Sequence, residues 1–280
     1  MPKTSIANPI LPRPFLKWAG GKGQLLTQYL PYFQQNYTTY YEPFLGGGAV
    51  FFHLQPQRAV LTDINPALVN VYCCVRDQVE PLIGLLQQHQ TQHSPEYYYQ
   101  VRSSLPDTKL AQAARLLYLN KTCFNGLYRE NAKGEFNVPI GRYKQPMICN
   151  PGLLRAASAA LQACQIAVCS FEAVLENANR EGDFVYFDPP YYPLSPTSNF
   201  TAYSRHSFGP EQQTQLRDTF AILAQRGVKV MLSNSDCDFI RQLYQDFHIH
   251  RVVASRAINV NAQRRGKISE LLITSYPVAD

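Results

Sequence analysis

Charge is scarce in this chain. Of its 280 residues, 16% are Asp, Glu, Lys or Arg, against about a quarter in an average globular protein. Hydrophobic residues make up 45% and aromatics 12%, a composition that excludes a disordered or highly charged tail protein. No apolar run approaches the ~20 residues of a membrane span. Met1 to Arg13 lacks the apolar stretch of a secretory signal, so the cytoplasm is the expected compartment. The cysteines number seven, an odd count, and no C-x-x-C pair occurs. They read as reduced, small, apolar side chains. His248 and His250 stand two apart on an expected strand without further ligands, so no metal site is expected. At roughly 150 residues per domain the length suits one large domain or two modest ones, with core enough to need no staple.

What is present begins with a mild basic excess. Lys and Arg number 26 against 20 for Asp and Glu, a formal charge of +6. Between Asn120 and Arg155, Lys121, Arg129, Lys133, Arg142, Lys144 and Arg155 meet only Glu130 and Glu135. Between Arg251 and Glu270, Arg251, Arg256, Arg264, Arg265 and Lys267 meet only Glu270. Both segments are rich in turn residues. Together they could line one groove for a polyanion; two solvated loops are the plainer alternative.

Seven short runs, β-branched or aromatic and bounded by turn signals, read as buried strands. They are Tyr40–Pro43, Ala59–Thr62, Ile166–Cys169, Phe184–Phe187, Val228–Leu232, Ile249–Val253 and Leu271–Tyr276. Helical patterns lie between many of them, as in Glu211–Gln225 with Leu216, Phe220 and Leu223. That alternation predicts an α/β fold with a mostly parallel, doubly wound sheet. The last strand follows its predecessor across a polar loop, which allows an antiparallel closing hairpin. From residue 75 to residue 163 the alternation stops. Helices are expected at Val79–Gln90, Pro95–Ser103 and Leu110–Asn120, then a Gly/Asn/Lys-rich loop to Pro146, then a helix near Leu153–Cys164. Residues 75–163 therefore read as a helical insertion into a sheet domain made of 1–74 and 164–280.

Three motifs carry chemistry. Asp188-Pro189-Pro190-Tyr191 follows the fourth run, at a carboxyl strand end, where open α/β sheets bind ligands. Two prolines stiffen the backbone and remove two N–H donors. The Asp188 carboxylate and the Pro189 carbonyl remain as rigid acceptors beside the face of Tyr191. That set suits a planar ring bearing an exocyclic amine; a strand-ending acid in a proline turn is the plainer alternative. Phe44-Leu45-Gly46-Gly47-Gly48 follows the first run. Its glycines admit close approach of a nucleotide-like ligand, yet it is neither G-x-G-x-x-G nor a P-loop. About 20 residues on, Asp63 in Thr62-Asp63-Ile64-Asn65 ends the second run, where an acid takes both hydroxyls of a ribose. The pair points to an adenosine-containing ligand. Phe15-Leu16-Lys17-Trp18-Ala19-Gly20-Gly21-Lys22 holds the only tryptophan. Trp18 either anchors this segment to the core or closes, with Lys22, over a ligand's carboxylate and amine.

These motifs occur in one order with Asn125-Gly126-Leu127-Tyr128-Arg129, the run from Gly134 to Tyr143, and the run from Pro193 to Tyr203. From about Phe15 to Tyr276 the chain resembles the Dam-type, D12-class DNA adenine-N6 methyltransferases, whose best-known members modify GATC. The resemblance implies a Rossmann-like methyltransferase sheet with a helical target-recognition insertion. It implies S-adenosyl-L-methionine as cofactor and double-stranded DNA as partner, with a monomer that needs no obligatory protein partner. Cofactor contacts are then expected from Trp18, Lys22, Phe44, Gly46, Gly48, Asp63, Ile64, Ser170, Phe171 and Asp188. Catalysis is expected at Asp188, Pro189, Pro190 and Tyr191. DNA contacts are expected from Lys17, Phe124, Asn125, Leu127, Arg129, Pro139, Arg142 and Tyr143. Lys17, Leu127, Arg129, Pro139 and Tyr143 match the positions that face the bases in GATC-type members, so GATC is the expected site. Phe124 departs from the tyrosine common there. A wedge filling the gap of a flipped base needs a ring more than a hydroxyl; a core residue at a helix end is the plainer alternative. Ser195 to His206 is expected to form a loop near the flipped base, and Arg251 to Lys267 to touch phosphates.

The chemistry then follows. The adenine N6 lone pair is delocalised into the ring and the base is hidden in the duplex, so the base must flip out, stacking on Tyr191. Acceptors at Asp188 and Pro189 draw N6 toward tetrahedral geometry, which is positioning rather than strong-base catalysis. Three other readings compete. An RNA or protein-amine methyltransferase is opposed by the basic insertion, and an inactive DNA-binding relative by the intact Asp188, Asp63, Trp18 and Lys22. A nicotinamide oxidoreductase is opposed by the glycine spacing.

Overall fold

The computed structural model describes residues 10–23, 25–194, 208–255 and 267–278. All seven expected strands form: β1 Thr39–Glu42, β2 Ala59–Asp63, β3 Cys164–Val168, β4 Asp183–Phe187, β5 Lys229–Ser235, β6 His248–Ser255 and β7 Lys267–Thr274. They make one sheet in the order β3-β2-β1-β4-β5-β7-β6. β1 to β5 run parallel, and β7 runs antiparallel to both its neighbours, β5 and β6. The α/β expectation holds, and the closing hairpin is antiparallel. Its second strand takes the inner place, which leaves β6 at the edge.

β4 shows why these runs are strands. All five of its residues are buried. Phe184 and Tyr186 join one core layer, and Val185 and Phe187 the other. Each such burial contributes roughly 1.5–3 kcal/mol. The first layer is covered by α2 (Ala49–Leu54), α3 (Pro66–Asp77), α4 (Val79–Gln92), α5 (Pro95–Ser103), α6 (Lys109–Thr122) and α7 (Pro151–Leu161), after the short α1 (Leu26–Tyr29). The second is covered by α8 (Val174–Asn177), α9 (Pro210–Gln225) and α10 (Asp238–Leu243).

Not every expected strand is buried. β3 is an edge strand in which only Cys164 is buried and Val168 is 50% exposed. An apolar run looks alike at the edge and the centre of a sheet, because only tertiary packing covers its second face. The helices α2, α3 and α10 carry too short or too apolar a pattern to be singled out. α3 starts where the Asn65 side chain caps the N–H groups of Ala67 and Leu68, with Pro66 in its first turn. It runs unbroken through residue 75, with Val75 fully buried. The seven cysteines are all free thiols, four of them buried.

Candidate active site

The strand order reverses between β1 and β4, and a crevice outside such a reversal is where open α/β sheets hold ligands. The turn after β1, the end of β2 and the turn after β4 all reach this edge. Gly46 and Gly48 have φ of 47° and 66°. A Cβ on Gly48 would stand 2.9 Å from the Tyr72 hydroxyl, and one on Gly46 would stand 3.1 Å from Trp18 Cδ1. Glycine thus lets the turn lie against both rings, and the Tyr72 hydroxyl donates to the Gly46 carbonyl at 3.1 Å. Asp63 ties this turn to β2: Oδ2 accepts the Gly46 N–H at 3.0 Å and Oδ1 the Asn65 N–H at 2.9 Å. Burial raises its carboxyl pKa against those backbone donors. Ile64 beside it is exposed. Phe44 stacks on Phe171 at 5.5 Å, with Phe208 edge-on to both, and Ser170 directly precedes Phe171. Phe15 and Leu16 anchor the N-terminal segment in the core, while Trp18 is half-buried, 5.2 Å from the Tyr128 ring.

The turn after β4 is bound from several sides. Lys22, buried, places its ammonium 2.7 Å from Asp188 Oδ1. The register pairs Phe187 with Leu232, which brings Ser233 alongside, and its hydroxyl donates to the same Oδ1 at 2.9 Å. The Pro190 carbonyl accepts from Gln213 Nε2 at 3.0 Å, and the Tyr192 N–H donates to Asn234 Oδ1 at 3.1 Å. The Tyr192 carbonyl accepts from the Ser235 hydroxyl at 2.6 Å. Asp188 Oδ2 and the Pro189 carbonyl oxygen have no hydrogen-bond partner among the described residues. The Tyr191 hydroxyl donates to Glu270 Oε2 at 2.8 Å, and the Lys22 ammonium lies 4.6 Å from the centre of its ring. Burial drives the Tyr191 phenol pKa far up. Behind the turn, buried Glu42 accepts from the Tyr40 hydroxyl at 2.8 Å and the Phe51 N–H at 3.2 Å. Burial outweighs these donors and pushes its carboxyl pKa up to about 8.

Ser233, Asn234, Gln213, Glu42 and Glu270 escaped the sequence reading. Glu42 ends β1 just before the glycine motif, and Ser233 to Ser235 is a polar triplet ending an apolar strand, so both left a faint signal. Glu270 left none, because its place depends on the antiparallel run of β7.

A second surface follows α6. Asn120, buried, accepts the Lys17 N–H at 2.8 Å and donates to the Lys17 and Gly126 carbonyls at 2.7 and 3.1 Å. This joins the N-terminal segment to a 3-10 turn, Phe124–Gly126. Phe124, Asn125, Leu127, Arg129, Pro139, Arg142, Tyr143 and Lys17 are all exposed. Phe124 is 47% exposed, which excludes a core role for it. The Phe124 N–H bonds the Pro139 carbonyl at 2.9 Å, and the Lys17 ammonium donates to the Tyr143 hydroxyl at 3.0 Å. The Arg129 guanidinium is braced on Asn137, Nε to Oδ1 at 2.6 Å. Lys121, beneath, is held down to about 8 by burial, with Lys17 and Arg13 adding repulsion. Arg155 does not extend the basic segment: it sits on α7 and pairs with Glu80 at 2.6 Å. Arg251 pairs with Asp236 at 3.3 Å. The expected loop from Ser195 to His206, with Arg256, Arg264 and Arg265, lies outside the described residues.

An acceptor pair at a strand reversal, with an acid and a glycine turn beside it, is the arrangement the family resemblance implied. Residues 18–258 match the model of the D12 class N6 adenine-specific DNA methyltransferases. The chain belongs to that family. It is similar to the type II methyltransferase M1.LlaDCHI of Lactococcus lactis subsp. cremoris, 46% identical over 277 residues, covering 96% of this chain and 97% of that protein. The type II methyltransferase M.MjaIII of Methanocaldococcus jannaschii is 42% identical, covering 94% and 99% of the two chains. The DNA adenine methylase of Escherichia coli K12 is 37% identical, covering 95% and 96%. The enzyme is an adenine-specific DNA methyltransferase, and its substrate is DNA. No described helix of this methyltransferase is long and apolar enough to cross a membrane.

Proposed function

We propose that this methyltransferase transfers the methyl of S-adenosyl-L-methionine to N6 of an adenine flipped out of duplex DNA, within 5'-GATC-3'. The observation that carries the chemistry is the pattern of bonding at the turn after β4. Asp188 Oδ1 and the Pro190 and Tyr192 groups are tied to the protein, while Asp188 Oδ2 and the Pro189 carbonyl oxygen take no partner among the described residues. Two acceptors on a rigid turn match the two hydrogens of an exocyclic amine.

The residues at the neighbouring crevice fit the methyl donor. Asp63 keeps a further lone pair on each oxygen after its backbone bonds, which suits a ribose diol. The stacked Phe44 and Phe171 with exposed Ile64 offer apolar surface for an adenine, and Trp18 and Lys22 close the end nearest Asp188. Gly46 and Gly48 shape the turn beneath, and Ser170 is placed to border the adenine. Held by these residues, S-adenosylmethionine would supply an electrophilic methyl to N6, with the electron pair of its C–S bond leaving on sulfur and one N6 proton released to solvent. Asp188 Oδ2 and the Pro189 carbonyl accept the N6 hydrogens and orient the lone pair. Lys22 and Ser233 hold Asp188 through Oδ1. Pro190 locks the turn, and the face of Tyr191 away from Lys22 stacks the extruded base.

GATC reading falls to the exposed face of the helical region, residues 75–163, which we take as the target-recognition unit, with 1–74 and 164–280 as the catalytic unit. Phe124 is the wedge, at the tip of a 3-10 turn. Arg129 bridges guanine O6 and N7, worth about 1–3 kcal/mol of discrimination. Lys17, Leu127, Pro139 and Tyr143 complete the base-facing set, and Asn125 and Arg142 support it from the backbone side. The enzyme acts as a monomer in the cytoplasm. Tritiated methyl transfer to paired duplexes, one with GATC and one with GTAC in the same flanks, tests this. Label in adenine of GATC alone is the expected result. Label in both duplexes removes the assigned specificity, and label in neither removes the assigned substrate.

A further inference from the structure

We infer that Asn234 and Gln213 are positioning residues for methyl transfer, a buried pair of amides that holds the turn after β4 in its reactive shape. The inference rests on the reading above, that Asp188 and Pro189 accept the two amine hydrogens. Both amides are 0% exposed. Asn234 Oδ1 accepts the Tyr192 N–H at 3.1 Å and the Ser235 N–H at 2.8 Å, and Asn234 Nδ2 donates to Gln213 Oε1 at 2.9 Å. Gln213 Nε2 then donates to the Pro190 carbonyl at 3.0 Å. The relay runs from one end of the turn, through β5 and α9, to its middle.

The turn needs such a relay because it cannot hold itself. Pro189 and Pro190 have no N–H, and their rings fix φ while leaving ψ as the soft rotation. Tying the Pro190 carbonyl and the Tyr192 N–H from outside removes that freedom, and with it the freedom of the neighbouring Pro189 carbonyl to turn away. Burying two amides is costly unless they are paired, and each of the four amide nitrogens and oxygens has a partner in the relay. Apolar residues would pack the same space but could not set the direction of a carbonyl. Neither side chain touches substrate, so the effect passes through Pro189 and Asp188.

The test uses the full-length enzyme with S-adenosylmethionine and a GATC duplex. Gln213→Met keeps the volume and removes the amide. Gln213→Asn removes one methylene and withdraws the donor from Pro190 while keeping an amide in the buried site, a second variant should Gln213→Met not fold; thermal unfolding checks both. In the folded variants kcat should fall about 10- to 100-fold, the scale of an ångström-level misplacement. KM for each substrate should change less than about threefold, because ground-state binding is untouched. Wild-type kcat in folded Gln213→Asn, or a rise in KM with kcat unchanged, overturns the inference. Asp188→Ala, run alongside, separates the two levels. Its inactivity beside a fully active Gln213→Asn leaves the reading of the turn standing and removes the clamp. Wild-type turnover of Asp188→Ala removes both.

Discussion

At the carboxyl edge of the sheet the side chains proposed to carry the chemistry are buried or half-buried, and other side chains hold them: Asp188 by Lys22 and Ser233, Tyr191 by Glu270. On the face carried by residues 124–143 the side chains expected to meet DNA are exposed, Arg129 is braced on Asn137, and the structure also holds the backbone beneath them. Asn120 clamps Lys17 to Gly126, the Gly141 N–H bonds the Thr122 carbonyl at 2.8 Å, and Cys123 bridges Ile140. The contrast follows from what each surface meets. A chemical step tolerates little displacement, so its groups are pre-organised. In the DNA-reading role proposed for residues 124–143, that face would displace water and adapt to a groove, which a rigid backbone beneath exposed side chains suits.

That contrast yields expectations of decreasing size. Removing one acceptor at the edge should stop the reaction without touching the other face. Asp188→Ala is expected to lower single-turnover methyl transfer about 10³-fold or more, with duplex affinity by gel shift unchanged; a parallel loss of affinity would mean the two surfaces are not separate.

The mirror experiment acts on the backbone of the exposed face. Gly126 has φ of 64°, and a Cβ there would stand 2.4 Å from Lys17 Cδ. Gly126→Ala therefore carries about 1–2 kcal/mol of left-handed strain and displaces Lys17. Duplex affinity should drop about tenfold, while the donor's affinity, read from Trp18 fluorescence, stays put. Unchanged duplex affinity would show that the rigid base is not needed.

The smallest effect concerns stability alone. Burial raises the Glu42 carboxyl from its ordinary 4.5 to about 8 in the native state. Between those values the native state holds a proton that the unfolded chain has released. The associated stability is present below the lower value and is lost as pH rises through the upper one. Glu42→Gln should flatten that decline in melting temperature between about pH 5 and pH 9. Equal slopes in both proteins would show that Glu42 does not carry it.

Much of this was legible in the chain itself, and for local reasons. Strand runs, the proline turn, the glycine turn and the Asn65-Pro66 helix start are written in neighbouring residues, since β-branching, fixed φ and missing side chains act at short range. The motifs also stand in the family's order, which is why the resemblance is legible in the sequence. The positions of Asp63, Asp188 and Phe124 needed only the ends of those elements.

The remainder depended on which elements meet. Nothing in Ile166 to Val168 distinguishes an edge strand from a central one, because exposure is a property of the neighbour. Glu270 reaches Tyr191 because β7 enters between β5 and β6 and runs backward, so that its start, paired at Ser235, lies at the carboxyl edge of the parallel strands. Ser233 meets Asp188 by register, and Gln213 meets Pro190 across a layer of the fold. The sequence by itself determined the elements, the order of motifs and the kind of acceptors presented. Only the tertiary structure decided which buried polar groups hold those acceptors, because a hydrogen bond between residues far apart in sequence exists only once packing has brought them within 3 Å or so of one another.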